Sequence, residues 1–168
     1  VGALSYYDCG CIDYRLTIDT IKSGTRQGGD ALNYCAVTGI SLAPGAVQTV
    51  RARDLLAGAD LELRARAVIN TAGGWADRVL ELAGRPERFN LKLTRGIHLV
   101  VKKERLPITR AIAYEAKQDH RNLLLVPWDR HVLIGTTDVF FSGDPDRVGL
   151  TDADIDYLLE SANLYFPE

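Results

Sequence analysis

Along this 168-residue chain the apolar positions change rhythm several times, and each change marks an element. Residues 3–7, Ala-Leu-Ser-Tyr-Tyr, read as a short strand. Asp13 sits where a helix cap belongs, and Leu16, Ile21 and Thr25 recur along the inner face of a helix running to about Gln27, closed by Gly28-Gly29. Ala31 to Ile40, carrying Tyr34, Val37 and Ile40, reads as a second strand. Strand, helix and strand in this order form the parallel crossover unit of α/β proteins.

From Val47 to Arg66 the period shortens to two. Gln48 to Arg53 and Leu61 to Arg66 both alternate, with a Gly58-Ala59-Asp60 turn before the second, and together they predict a small antiparallel meander with one wet face. Ala67 to Thr71 reads as an apolar strand leading into Ala72-Gly73-Gly74-Trp75. A helix is expected from Trp75 to Ala83, with Val79, Leu80 and Ala83 inward and Gly84 as its stop.

After Pro86 the chain is strand-rich. Five strands are expected at Leu91–Thr94, Ile97–Lys102, Ala111–Glu115, Leu123–Pro127 and Val132–Thr136, with Asp129-Arg130-His131 as the turn between the last two. Asp144, Asp146, Asp152, Asp154 and Asp156 form an acidic stretch, read as a solvated loop and a helix start. Thr151-Asp152-Ala153-Asp154 has the spacing of a capping box, and Ile155, Leu158, Leu159 and Ala162 follow at helical spacing. The fold class is therefore α+β (mixed α/β). Residues 1–86 make an α/β portion with an inserted β-meander, and residues 87–168 a mostly antiparallel sheet with a C-terminal helix.

Composition narrows the function classes. Twenty Lys and Arg against 22 Asp and Glu leave a net charge of −2, so no basic stripe exists to neutralise the phosphates of a nucleic acid. No apolar run approaches the roughly 20 residues of a membrane span, and no charged-then-apolar leader opens the chain, so a cytoplasmic protein is expected. Cys9 and Cys11 form an isolated C-x-C pair and Cys35 stands alone, which predicts reduced thiols and no metal site. The chain contains no methionine and begins at Val1, the expected look of a piece cut from a larger protein.

Three segments could carry chemistry. In Ile69-Asn70-Thr71-Ala72-Gly73-Gly74-Trp75 a strand runs into two glycines and a helix, which exposes backbone N–H groups to an anion or cofactor; the other reading is a tight turn with no ligand. No G-x-G-x-x-G is present, so the chain holds no complete dinucleotide fingerprint. In Leu93-Thr94-Arg95-Gly96-Ile97-His98, His98 is either a satisfied core residue on a strand or, in a pocket, a general base with a pKa near the working pH. In Ile134-Gly135-Thr136-Thr137-Asp138, two hydroxyls and a carboxylate could orient a hydroxylated substrate, or could serve the end of a hairpin.

Taken in order, these segments resemble the FAD-dependent glycerol-3-phosphate dehydrogenases of the D-amino-acid-oxidase-like flavoprotein superfamily. The resemblance also includes Gly2-Ala3-Leu4-Ser5-Tyr6-Tyr7-Asp8-Cys9 with Asp13-Tyr14-Arg15-Leu16, Asn70 to Asp77, Gly143-Asp144-Pro145 and the stretch from Ile155 to Pro167, and so spans nearly the whole chain. Gly74 stands where the family has proline, Ile97 where it has serine, and Arg95 where it has lysine. The family's flavin fingerprint would lie upstream of Val1, and its downstream arginine and Gly-Gly-Lys segment beyond Glu168.

The resemblance implies hydride transfer from C2 of sn-glycerol 3-phosphate to FAD, giving dihydroxyacetone phosphate, with electrons passing to a quinone and the longer protein peripheral on the inner face of the cell membrane. It implies His98 as base, Arg95, Thr137 and Asp138 at the substrate, Ala72, Gly73, Gly74 and Trp75 on the flavin side, and backbone contacts from Ala36 and Val37 near the adenine. The isolated chain is expected neither to hold FAD tightly nor to turn over substrate. The alternatives are a related FAD-dependent amine or amino-acid oxidase and a non-catalytic binding module.

Overall fold

The computed structural model describes residues 4–86 and 90–167 and divides the chain into two compact units, residues 1–68 and 69–168. The expected boundary after Pro86 falls at residues 87–89, outside the described residues, as do Gly2 and Ala3 of the opening motif.

The first unit holds helix α1 (Asp13–Arg26) and a three-stranded sheet of β1 (Cys35–Ser41), β2 (Gln48–Asp54) and β3 (Asp60–Ala65), in that order and antiparallel throughout. The expected meander is present. Arg53 pairs with Asp60 in register and in charge, at 3.0 Å, and Ile40 and Ala52 are buried on the opposite face. The turn before β3 is tied by Asp54, whose carboxylate accepts from the N–H groups of Leu56 and Ala57 and is held below the usual carboxylate range by them.

The parallel crossover does not form. Residues 4–7 take no strand conformation, Leu4, Tyr6 and Tyr7 are exposed, and β1 pairs antiparallel with its neighbour β2 across a short loop. A strand exists only where its N–H and C=O groups find a partner, and a nearby hairpin partner costs less loop entropy than a distant crossover.

The second unit begins with a 3-10 turn (Gly73–Trp75) and helix α2 (Ala76–Leu82). Six strands follow: β4 (Leu93–Arg95), β5 (His98–Lys102), β6 (Ile112–Glu115), β7 (Asn122–Trp128), β8 (His131–Gly135) and β9 (Val139–Phe141). A 3-10 turn at Pro145–Arg147 and helix α3 (Asp152–Asn163) complete it. Strands β5 to β8 form one antiparallel sheet in the order β5-β8-β7-β6, and β4 pairs with β9. One face of the four-stranded sheet carries Tyr114, Leu123, Leu125, Val132 and Ile134, which close a core with Leu158 and Ala162 of α3.

Three expectations change here. The strand at Ala67–Thr71 is absent, and Ile69 is 84% exposed. Asn70 explains this: its side chain accepts from Ala72 N at 3.1 Å and donates to Ala76 O at 2.9 Å, turning the chain before a ladder could begin. The strand expected from Ile97 starts one residue later, because the Ile97 backbone is taken up by Thr137. Leu159 faces outward and Ser161 is buried in its place, donating to the Gln118 side chain at 2.8 Å. The capping box of α3 forms as the spacing predicts, with Asp154 in the glutamate position. Strand β9, three residues long, was not legible in the pattern.

Candidate active site

The second and third chemical segments come together. His98 opens β5 and lies opposite Gly135, the last residue of β8. It is exposed at a strand end, not enclosed in mid-strand as its apolar neighbours imply. Beyond Gly135 the chain returns to β5: the Thr137 hydroxyl accepts from Ile97 N at 3.0 Å, and Thr137 N donates to Ile97 O at 3.3 Å. Thr137 is buried, whereas Thr136 and Asp138 on either side are exposed.

Gly96 and Gly135 make this approach possible. A Cβ on Gly96 would collide with the Thr137 carbonyl oxygen and stand 2.6 Å from Thr136 Oγ1, and a Cβ on Gly135 would stand 2.5 Å from the His98 ring. Beyond His98 the same sheet face carries Val100 from β5 and Leu124 from β7, both exposed, on the side away from α3. The imidazole thus stands at one end of an open apolar floor.

The charged candidates are engaged within the protein. Arg95 Nη1 donates to Asp154 Oδ2 at 2.6 Å and to Gly149 O at 3.3 Å. Both partners of the ion pair are largely enclosed, Arg95 at 14% and Asp154 at 5% side-chain exposure. The Arg95 guanidinium holds the Asp154 carboxyl below the usual range, helped by the hydroxyl and N–H of Thr151 and opposed by burial. Asp138 Oδ2 accepts from Arg121 Nη2 at 3.0 Å, while Arg121 Nη1 reaches Asp138 O at 3.1 Å.

The glycine turn has its own support. Gly73 adopts φ +54, the left-handed region, and a Cβ there would meet nothing within 4 Å, so its backbone lies open. Gly74 lies nearer β4, where a Cβ would touch Leu93 at 3.7 Å, and Asp77 Oδ2 accepts from Leu91 N at 2.8 Å. Trp75 and Arg78 reach into the acidic loop: the indole N–H donates to Asp146 Oδ1, Arg78 Nη1 to Asp146 Oδ2, and Arg78 Nη2 to Asp144. The stretch read as a solvated loop is thus in part a clamp on the turn. Asp144 is held below the usual range by the Asp146 N–H first and Arg78 second.

Ala36 and Val37 lie in β1 of the first unit. Arg78 and Arg121 were not singled out by the sequence, because the carboxylates they pair with lie far along the chain. A shallow cavity of about 410 Å³ at Lys92, Leu93, Phe140 and Phe141 is lined by none of the candidate residues.

A family model described as FAD dependent oxidoreductase matches residues 1–168. An alpha-glycerophosphate oxidase of Lactococcus lactis is 36% identical over 169 residues, covering 99% of this chain and 28% of that protein. An aerobic glycerol-3-phosphate dehydrogenase of Staphylococcus haemolyticus is 32% identical over 168 residues, covering 99% of this chain and 30% of that protein. A solved structure of glycerol-3-phosphate dehydrogenase from Bacillus halodurans, complexed with FAD, superposes with a TM-score of 0.82 at 34% identity, over 92% of this chain and 31% of that one. The chain spans less than a third of the length of each of these relatives.

Proposed function

The chain belongs to the FAD dependent oxidoreductase family, and we propose that it is an internal segment of a longer flavoprotein that oxidises sn-glycerol 3-phosphate to dihydroxyacetone phosphate and passes the electrons to a quinone. The observation that carries this reading is the exposed His98 imidazole at the head of β5, opposite Gly135 and at one end of an open apolar floor. The names borne by the relatives supply the substrate.

The residues present fit a flavin. The open Gly73 backbone permits close approach by a flat ring or a phosphate, so Ala72, Gly73, Gly74 and Trp75 would flank the isoalloxazine. Bound FAD supplies the hydride acceptor. The chain's own groups manage the proton and the substrate. His98 takes the proton of the C2 hydroxyl, a general-base task that an exposed imidazole can perform. Arg95, enclosed and committed through Nη1 to Asp154 of α3, would anchor the strand that leads to His98. Thr137 and Asp138 form the edge of the substrate site, Thr137 by holding Ile97 and Asp138 through its carboxylate.

Peripheral attachment to a membrane, where a quinone would be met, belongs to the same proposal; among the described residues no helix is long and apolar enough to cross a membrane. The test is to express the longer reading frame that contains this chain. It is expected to retain stoichiometric FAD through gel filtration and to oxidise sn-glycerol 3-phosphate with a quinone analogue. Oxidation of amines or amino acids instead would move the assignment to a related oxidase. The 168-residue chain alone is expected to lose FAD on the column and to be inactive, and stoichiometric flavin on it would contradict that.

A further inference from the structure

We propose that Gly135 is a positioning residue for His98, acting through the side chain it lacks. A methyl group on Gly135 would stand 2.5 Å from His98 Cδ2, 2.9 Å from Cγ and 3.1 Å from Nε2. Three ring atoms therefore rest on the β8 backbone closer than any side chain at 135 would allow, since carbon atoms pack at roughly 3.5–4.0 Å.

The contact is built by register. His98 and Gly135 are directly opposed in the antiparallel pair, so a side chain at 135 would share the face of the sheet that carries the imidazole. Gly135 does not occupy the left-handed region, and the three atoms nearest to a Cβ placed there all belong to the His98 ring. Among the described residues no hydrogen bond holds the His98 imidazole, which leaves contact with β8 to set where Nε2 points. The arrangement is reciprocal across the two motifs, because Gly96 makes room for Thr136 and Thr137 as Gly135 makes room for His98.

The proposal rests on the reading of His98 as base. The direction of Nε2 then decides whether the substrate proton leaves along a productive line, and small misplacements cost large factors in rate.

The experiment is Gly135→Ala followed by NMR of the histidine rings. The chain has three histidines, His98, His120 and His131, and His98→Ala assigns the signal. The His98 ring resonances are expected to move in Gly135→Ala while those of His120 and His131 stay in place; an unmoved His98 signal overturns the proposal.

Thermal unfolding gives the second readout. Gly135→Ala should lower the melting midpoint by several degrees in the parent chain and leave it nearly unchanged in a His98→Ala background, where the ring is gone. Equal losses in both backgrounds would reduce Gly135 to an ordinary packing position and overturn the proposal. If Gly135→Ala alone does not fold, a folded double variant supports the contact and an unfolded one removes it.

In the longer enzyme, Gly135→Ala is expected to lower kcat roughly tenfold or more with KM little changed. Full turnover by His98→Ala there would overturn the base assignment and leave the contact seen by NMR standing, so the two claims fail separately.

Discussion

The indole N–H of Trp75 is hydrogen-bonded to the Asp146 carboxylate at 2.9 Å, joining two motifs 71 positions apart in the chain. The other oxygen of that carboxylate takes Arg78 Nη1 at 2.7 Å, so one side chain holds both the aromatic ring of the glycine turn and the first helix after it. Asp146→Ala removes both bonds. In a Trp128→Phe background, which leaves Trp75 as the sole tryptophan, its emission should shift to the red and acrylamide quenching should rise. Asp146→Asn keeps an acceptor for the indole and should shift emission less. Emission unchanged in Asp146→Ala would mean that the ring is not held there in solution.

The Arg95–Asp154 pair predicts an acid limb to the stability curve. Asp154 is ionised more readily when folded than when unfolded, because Arg95 favours its charge. Its contribution is therefore complete above the unfolded carboxylate pKa of about 3.9 and is lost as the pH falls through the lower folded value. Asp154→Asn leaves Arg95 largely enclosed without its counter-charge and should cost about 3 kcal/mol near neutrality. In urea unfolding the gap between parent and variant should narrow below about pH 4. A gap independent of pH would assign the loss to packing and not to charge.

Tyr114 carries a buried hydroxyl with no hydrogen-bond partner among the described residues, and its ring meets Tyr165 edge-on at 5.6 Å. Burial, with a smaller push from Tyr157, raises its pKa to about 12. Tyr114→Phe keeps the ring contact and removes a desolvated polar atom, so the melting midpoint should hold or rise, by up to about 1 kcal/mol in stability. The folded state keeps its proton longer than the unfolded one, so this residue's share of stability is intact below about pH 10 and declines as the pH rises towards 12. Melts between those values should show a shallower alkaline decline in Tyr114→Phe. A midpoint several degrees lower would reveal a partner for the hydroxyl.

What the sequence could disclose follows the range of the interactions involved. The meander, the hairpin at Asp129-Arg130 and the Thr151 capping box are local, and alternation, turn chemistry and spacing announced each of them. The parallel crossover failed because an apolar run such as residues 4–7 carries no record of which edge it will find. Ala67–Thr71 failed because one polar side chain, Asn70, captured the backbone. At the candidate site the two motifs could be recognised separately, but not their meeting. The pairing of His98 with Gly135, and of Trp75 with Asp146, depends on register between distant strands and loops. Arg95 and Asp154 were each noticed, one as a binding residue and one as a cap, with nothing in either neighbourhood to say they would pair.

The β4–β9 pair has a kinetic consequence. These two short strands bracket the whole four-stranded sheet in sequence, and β5 reaches β8 only after β6 and β7 have been laid down between them. The β7–β8 and β6–β7 hairpins close small loops and can form early, whereas β5–β8 and β4–β9 close large ones and carry the greater entropic delay. His98 meets Gly135 in the first of these late closures and Arg95 meets Val139 in the second. The residues proposed for chemistry are thus among the last to find their partners, after a stable hairpin template is already in place.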